Sequence, residues 1–239
     1  MGGPLSGRTA VITGASRGIG AATARSFAAR GARVVLIARS EHDLNALAAE
    51  LGGEALAIPA DLMDPGSLES AVRRVNEAVG TPDVLVNNAG IFRTEPASEL
   101  SVDVFVEVVE INLIVPFRVL RAFLPGMLQR GSGLIVNIGS VADRYAFPGN
   151  IAYSPSKFGV RGMHEVLRAE LRGTGVRATL VSPGAVDTDL WSFAEATAPP
   201  GRFTARKDML PAEAVASAIQ YVAEQPPEVH IEELRLRRA

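Results

Sequence analysis

The segment Tyr153-Ser154-Pro155-Ser156-Lys157 sets a phenol and an ammonium four residues apart, on one face of any helix they occupy. A phenol titrates near pH ~10, too high for acid–base work at neutral pH unless a nearby cation stabilises the phenolate. Lys157 can supply that cation; the one other lysine in an arginine-rich chain is Lys207. Ser140 closes the apolar run Leu134–Ile138. Its hydroxyl can bond a carbonyl oxygen that gains charge in hydride transfer, or it can cap the turn after the strand. Asn112 interrupts the helical run Val102–Leu120, where asparagine competes for backbone bonds, and by itself it reads as a structural residue.

A second set surrounds Thr13-Gly14-Ala15-Ser16-Arg17-Gly18-Ile19-Gly20, between the first strand pattern and the first helical pattern. Glycines there let the backbone turn sharply and approach a pyrophosphate, which the free amides of the helix N-terminus then stabilise. The spacing is G-x-x-x-G-x-G, not the general G-x-G-x-x-G fingerprint. NAD-selective sites place a carboxylate roughly 20 residues further on, at the end of the second strand. Here Val34–Ile37 runs into Ala38 and Arg39, and no acid is expected where it would repel a 2′-phosphate. Arg17 and Arg39 together suit bidentate phosphate binding, which favours NADP(H); either alone reads as a solvated surface residue.

These groups need a scaffold. Strands are expected at Thr9–Thr13, Val34–Ile37, Ala55–Ile58, Val84–Asn87, Leu134–Ile138, Ala178–Val181 and near Val229–Ile231. Helical patterns span Ala21–Arg30, Leu44–Leu51, Leu68–Val79, Val102–Leu120, Phe158–Arg172 and Ala212–Ala223. Continuous Val/Ile/Leu runs mark strands buried on both faces, and strict strand–helix succession marks right-handed crossovers. The fold expected is α/β, a doubly wound parallel sheet (Rossmann fold) of about seven strands with helices on both faces, binding ligand at the strands' carboxyl ends. No linker or repeat divides residues 1–239, so one domain is expected. The Pro/Gly cluster Ala198–Gly201 lies in an excursion over the site at about 189–210.

The 239 residues are 47% hydrophobic and 21% charged, ordinary globular proportions. With 24 basic against 26 acidic residues there is no excess cation for a nucleic-acid backbone. No cysteine is present, which removes thiolate chemistry and most structural zinc sites. His42, His164 and His230 are scattered, so no metal site is expected, and Arg235, Arg237 and Arg238 read as a solvated tail. No apolar run is long enough for a signal peptide or a membrane span, so a soluble, cytoplasmic protein is expected.

Taken in order and spacing, the motifs make the chain resemble the short-chain dehydrogenase/reductase family, in its compact single-domain branch, from first strand to last helix. The motifs are Thr13–Gly20, Asn87-Asn88-Ala89-Gly90, Asn112, Ser140, Tyr153 with Lys157, and Pro183-Gly184 with Thr188; Asp61-Leu62 matches the family's adenine-contacting position. The resemblance implies that Tyr153 is the general acid–base, that Lys157 lowers its pKa and holds the nicotinamide ribose, and that Ser140 orients the carbonyl. It implies that Asn112 keeps a water linking Lys157 to solvent. For the cofactor it implies that Gly14, Ser16, Arg17, Gly18, Ile19 and Gly20 form the phosphate turn, beside which Arg39 and Arg17 are read from their charge as the 2′-phosphate partners. Asp61, Leu62, Asn88, Ala89 and Gly90 would line the adenosine side, and Pro183, Gly184 and Thr188 would border the nicotinamide. It also implies a homo-oligomer, a dimer or homotetramer. Pro155 departs from the alanine often found there, which the start of a helix tolerates.

Substrate contacts are expected from Val141, Arg144, Tyr145 and Phe147 and from Leu190, Trp191, Phe193 and Phe203, with Arg144 or Arg93 available to a carboxylate. The aromatics read equally as lid packing, and the two arginines as surface residues. The ending Pro226–Arg235 lacks the terminal features of 3-oxoacyl-carrier-protein reductases and is more similar to NADP-dependent 3-hydroxy-acid and serine-type dehydrogenases. The reading is therefore a carbonyl reductase or 3-hydroxy-acid dehydrogenase acting on a small carbonyl/alcohol substrate. A 3-oxoacyl-thioester reductase comes second, and a non-catalytic sensor or scaffold is the remaining alternative.

Overall fold

The computed structural model describes residues 3–192 and 204–239. Strands β1 (Thr9–Thr13), β2 (Arg33–Ala38) and β3 (Leu56–Pro59) alternate with helices α1 (Gly18–Ala29), α2 (Glu41–Leu51) and α3 (Pro65–Val79). Then follow β4 (Val84–Asn87), α4 (Val102–Val109), α5 (Val115–Arg130), β5 (Gly133–Ile138), α6 (Tyr153–Glu170) and β6 (Val176–Pro183). The two-residue strands β7 (Val186–Asp187) and β8 (Leu210–Pro211) pair apart from the main sheet, before α7 (Ala212–Glu224) and β9 (Glu233–Leu236). The sheet has seven strands in the order β3-β2-β1-β4-β5-β6-β9, and every pairing is parallel.

Alternation along each strand explains the continuous apolar runs. Ala10, Ile12, Val34, Leu36, Val84 and Val86 face one core with Phe27 of α1, Leu44 of α2 and Ile219 of α7. Val11, Val35, Ile37, Leu85 and Ile135 face the other, with Val75 of α3, Phe123 of α5 and Leu167 of α6. Both sheet faces are dry, as a parallel sheet requires. The order reverses between β1 and β4, so their carboxyl ends part and leave a crevice there.

Three sequence expectations are corrected. The last strand is Glu233–Leu236, not Val229–Ile231. It is an edge strand that reads Glu-Leu-Arg-Leu, so it lacks the apolar run that marks a central strand. Ile231 reaches the sheet through a side chain instead: the Thr179 hydroxyl donates to its carbonyl at 2.6 Å. The run Val102–Leu120 is not one helix, because a π-helical turn, Glu110–Ile114, separates α4 from α5. The terminal arginines are not a free tail: Arg235 lies in β9, Arg237 stacks 5.0 Å over Tyr145, and Arg238 donates to the Met209 carbonyl at 2.8 Å.

Candidate active site

The crevice is a continuous cleft of about 890 Å³ at the strands' carboxyl ends. Every residue expected for catalysis or cofactor binding lines it except Gly20, which packs behind the turn. A Cβ on Gly20 would lie 2.3 Å from the Gly14 carbonyl oxygen and 2.7 Å from Asn88 Nδ2. Gly14 has φ +65°, open to glycine and strained for other residues. Arg17, the residue before α1, is extended and caps nothing with its side chain, so the first amides of α1 remain available to an anion.

The turn is braced from β4. The Asn88 side-chain amide donates to the carbonyls of Thr13 (3.0 Å) and Gly14 (3.2 Å), and the Thr13 hydroxyl accepts from the amides of Asn88 and Ala89. Thr188 closes over the turn from the other side, 3.1 Å from where a Gly18 Cβ would stand. Arg17 Nη1 is 3.9 Å from Asp189 Oδ2. Arg39 is exposed at the rim, and Leu62 is buried beside the exposed Asp61, whose carboxylate accepts from the Met63 amide at 3.0 Å.

Sequence reasoning saw Glu41 two residues past Arg39 but no acid placed to repel a 2′-phosphate, yet Asp43 lines the same cleft. Its carboxyl is held below the usual range by the Ser40 hydroxyl, then by His42, with a smaller contribution from Arg17. The signal was present in Ser40-x-x-Asp43, a helix-capping spacing: the Ser40 hydroxyl accepts from the Asp43 amide at 3.3 Å.

At the other end, α6 starts at Tyr153, so the phenol leaves its first turn and Lys157 lies one turn on. Lys157 is buried, and Nζ donates to the Ile138 carbonyl at the end of β5 (2.9 Å), 5.8 Å from the Tyr153 ring centre. Ser140 caps the turn after its strand, one of the two readings its position allowed. Its hydroxyl accepts from the Ala142 amide at 3.1 Å, capping a short 3₁₀ turn, and it also bonds the phenol of Tyr153. Asn112, in the π-helical turn, straps Ile91 to α6: Oδ1 accepts from the Ile91 amide, while Nδ2 donates to the Ile91 carbonyl and to Ser156 Oγ.

The protonation states differ from the simple expectation. Burial pushes the Tyr153 phenol up to about 12; the Ser140 bond opposes this and the carboxylate of Asp143 adds to it. Burial pulls Lys157 down to about 8, with Asp143 opposing. Lys157 is not among the groups that move the phenol. The pair therefore stands as neutral phenol and ammonium at neutral pH.

This has a stability consequence. A lysine at about 8 folded and about 10.4 unfolded leaves the unfolded chain with more protons between those values, so stability rises with pH across that window. Measured by urea unfolding against Lys157→Met, wild-type stability is expected to rise by about 2 kcal/mol from pH 8 to pH 10.4. A flat difference would contradict it.

The wall beside Tyr153 is aromatic. Phe92, which sequence reasoning missed two residues beyond the Asn87–Gly90 motif, meets Tyr153 edge-on at 4.8 Å and Trp191 at 5.0 Å. Val141, Phe147 and Leu190 line the same end, whereas Tyr145, Arg93 and Arg144 do not line this cleft. Arg144 is held by Asp143 (3.1 Å) and Glu233 (2.6 Å), and Arg93 lies 3.9 Å from Glu107, an acid that does line the cleft. Phe193, Phe203 and Ala198–Gly201 lie outside the described residues. Among the described residues no group of three or more potential metal ligands occurs, and no helix is long and apolar enough to cross a membrane.

A doubly wound sheet with an uncapped glycine turn at its switch point defines a dinucleotide-binding architecture. The sequence pattern of the short chain dehydrogenases matches residues 8–198, and the chain belongs to that family of oxidoreductases. It is 41% identical over 189 residues to the D-threitol dehydrogenase of Mycolicibacterium smegmatis, covering 78% of this chain and 73% of that one. A short chain dehydrogenase of Pseudocercospora fijiensis is 38% identical over 193 residues, 79% of this chain and 62% of that longer relative. Among solved structures, an alcohol dehydrogenase of the archaeon Thermococcus sibiricus complexed with 5-hydroxy-NADP has a TM-score of 0.87 at 33% identity, covering 97% of each chain.

Proposed function

We propose that the chain is an NADP(H)-dependent oxidoreductase that interconverts a carbonyl and a secondary alcohol, with Tyr153 as its acid–base. The observation that carries this is the convergence of Ser140, Tyr153 and Lys157 at one end of a cleft whose other end is the glycine turn. The turn fits a dinucleotide, because Gly14 and Gly18 line the cleft without side chains and α1 offers uncapped amides. Gly14, Ser16, Gly18 and Ile19 would hold the pyrophosphate, Asp61, Leu62 and Asn88–Gly90 the adenosine, and Lys157, Pro183, Gly184 and Thr188 the nicotinamide side. When bound, the cofactor supplies or accepts a hydride. The residues do the rest. Ser140 donates to the carbonyl oxygen, and the Tyr153 phenol, protonated at neutral pH, gives its proton as charge builds there. The reverse direction returns that proton to Tyr153.

Arg39 and Arg17 at the rim support NADP(H), and the related alcohol dehydrogenase complexed with 5-hydroxy-NADP agrees with that choice. Arg39→Asp adds a second acid beside Asp43 and removes a guanidinium, so it is expected to weaken NADPH by about a hundredfold and to bring NADH level or ahead. Unchanged NADPH affinity would refute the assignment.

The engaged state of Arg144 and Arg93, with Glu107 in the wall, favours a neutral apolar or aryl ketone over a 3-oxo acid. NADPH oxidation should be followed over a panel of aryl ketones, a small 3-oxo acid and a 3-oxoacyl thioester. The ketones are expected to lead; a lead for the thioester would make the chain a 3-oxoacyl-thioester reductase. NADPH binding with no turnover on the whole panel would instead support a sensor.

The same reading takes residues 1–239 as one domain in a cytoplasmic homo-oligomer; of the excursion at about 189–210, residues 193–203 lie outside the described residues. Phe117 on α5 and Phe158 on α6, both exposed in the single chain, support a helical interface between copies.

A further inference from the structure

Among the described residues, the proposed chemistry leaves one buried acid unused. Asp143 is fully buried, in the turn directly after Ser140. Its Oδ2 accepts from the Ser182 hydroxyl of β6 at 2.5 Å and from the Ser140 amide at 3.4 Å, and its own amide donates to the Ser140 carbonyl at 2.9 Å. Its Oδ1 accepts from Arg144 at 3.1 Å, and the same guanidinium reaches Glu233 of β9 at 2.6 Å. Even the neighbouring glycine is shaped by this group, since a Cβ on Gly139 would stand 2.7 Å from Asp143 Oδ2 and 2.6 Å from Ser182 Oγ.

We propose that Asp143 is a positioning residue: it locks the Ser140 turn to β6 and, through Arg144, to β9, so that Ser140 meets Tyr153 in the field of a fixed carboxylate. The inference rests on the reaction proposed above. A cap alone does not explain the arrangement, because a neutral side chain could accept the Ser140 amide without the cost of a buried charge. The charged groups around Asp143 are few. Arg144 shares its turn, Glu233 stands behind that guanidinium on β9, and Tyr153 and Lys157 face it from α6. Its negative charge holds protons on both members of the catalytic pair, keeping the phenol and the ammonium intact at a higher pH than burial and Ser140 alone would allow.

The test is the pH profile of ketone reduction in Asp143→Asn, an isosteric change that keeps an acceptor for Ser182. The alkaline limb of kcat/KM is expected to fall by about one pH unit, with activity near pH 6 largely retained. Glu233→Gln, at the sheet edge, frees Arg144 to neutralise Asp143 more fully and should move the limb the same way by less. An unmoved limb in both variants, whatever the loss of rate, would overturn the proposal. Urea midpoints read the same field without turnover: in Asp143→Asn the Lys157-linked rise in stability should begin about one unit lower. If wild type reduces no ketone, the proposed reaction fails while the midpoints still decide for or against Asp143.

Discussion

Tyr153→Phe is expected to lower turnover by roughly 10²–10⁴-fold while leaving NADPH affinity within a few-fold of wild type. The substitution removes one oxygen and keeps the ring, so the edge-on packing with Phe92 survives. What is lost is the proton that the oxyanion needs and the partner of the Ser140 hydroxyl. The sign of the pH dependence sharpens the test. With the phenol pushed up to about 12 and Lys157 down to about 8, the cofactor-free pair stays fully protonated until Lys157 begins to titrate. Reduction should therefore hold its rate across neutral pH and decline on the alkaline side. A Tyr153→Phe enzyme that still reduced ketones at a tenth of the wild-type rate would remove the phenol from its assigned role.

Gly20→Ala is the second large effect. The new methyl would stand 2.3 Å from the Gly14 carbonyl oxygen, a backbone atom that cannot swing aside as a flexible side chain would. The overpacking should cost about 1–3 kcal/mol of stability and displace the turn on which the pyrophosphate rests. NADPH affinity is expected to fall at least about tenfold, on the order of 1.4 kcal/mol. Gly162→Ala is the control, since a Cβ there meets nothing within 4 Å and the position lies inside α6. Comparable loss in both variants would show that helix composition, not the close approach to Gly14, is being measured.

The central strands were readable because both of their faces are buried, so Val34–Ile37 and Val84–Asn87 carry apolar side chains at nearly every position. The same rule failed at β9, where one neighbour and a solvated rim leave an alternating Glu-Leu-Arg-Leu pattern. Residues of the candidate site were legible wherever the signal was local: the glycine turn, the phenol and lysine one helical turn apart, the serine ending β5. Those needing distant partners were not. Arg144 read as a possible carboxylate clamp because nothing in its vicinity announces Glu233, which reaches it only after β9 docks on β6. Phe92 and Glu107 come from segments far apart in sequence and line one cleft, where Asn112 of the π-helical turn pins Ile91, the residue before Phe92. That deviation from the helical repeat has no signature in residue type beyond an asparagine in an apolar run.

The amide of Asn88 supports the glycine turn from outside its own segment. Turns rich in glycine lose the most conformational freedom on becoming ordered, and a ligand that orders one on arrival binds more weakly for it. Here that freedom is already gone in the folded chain, because a side chain from the adjacent strand holds two successive carbonyls of the turn. The entropy lost in ordering those glycines is charged to folding rather than to binding. The dinucleotide would then meet a surface that is rigid before it arrives.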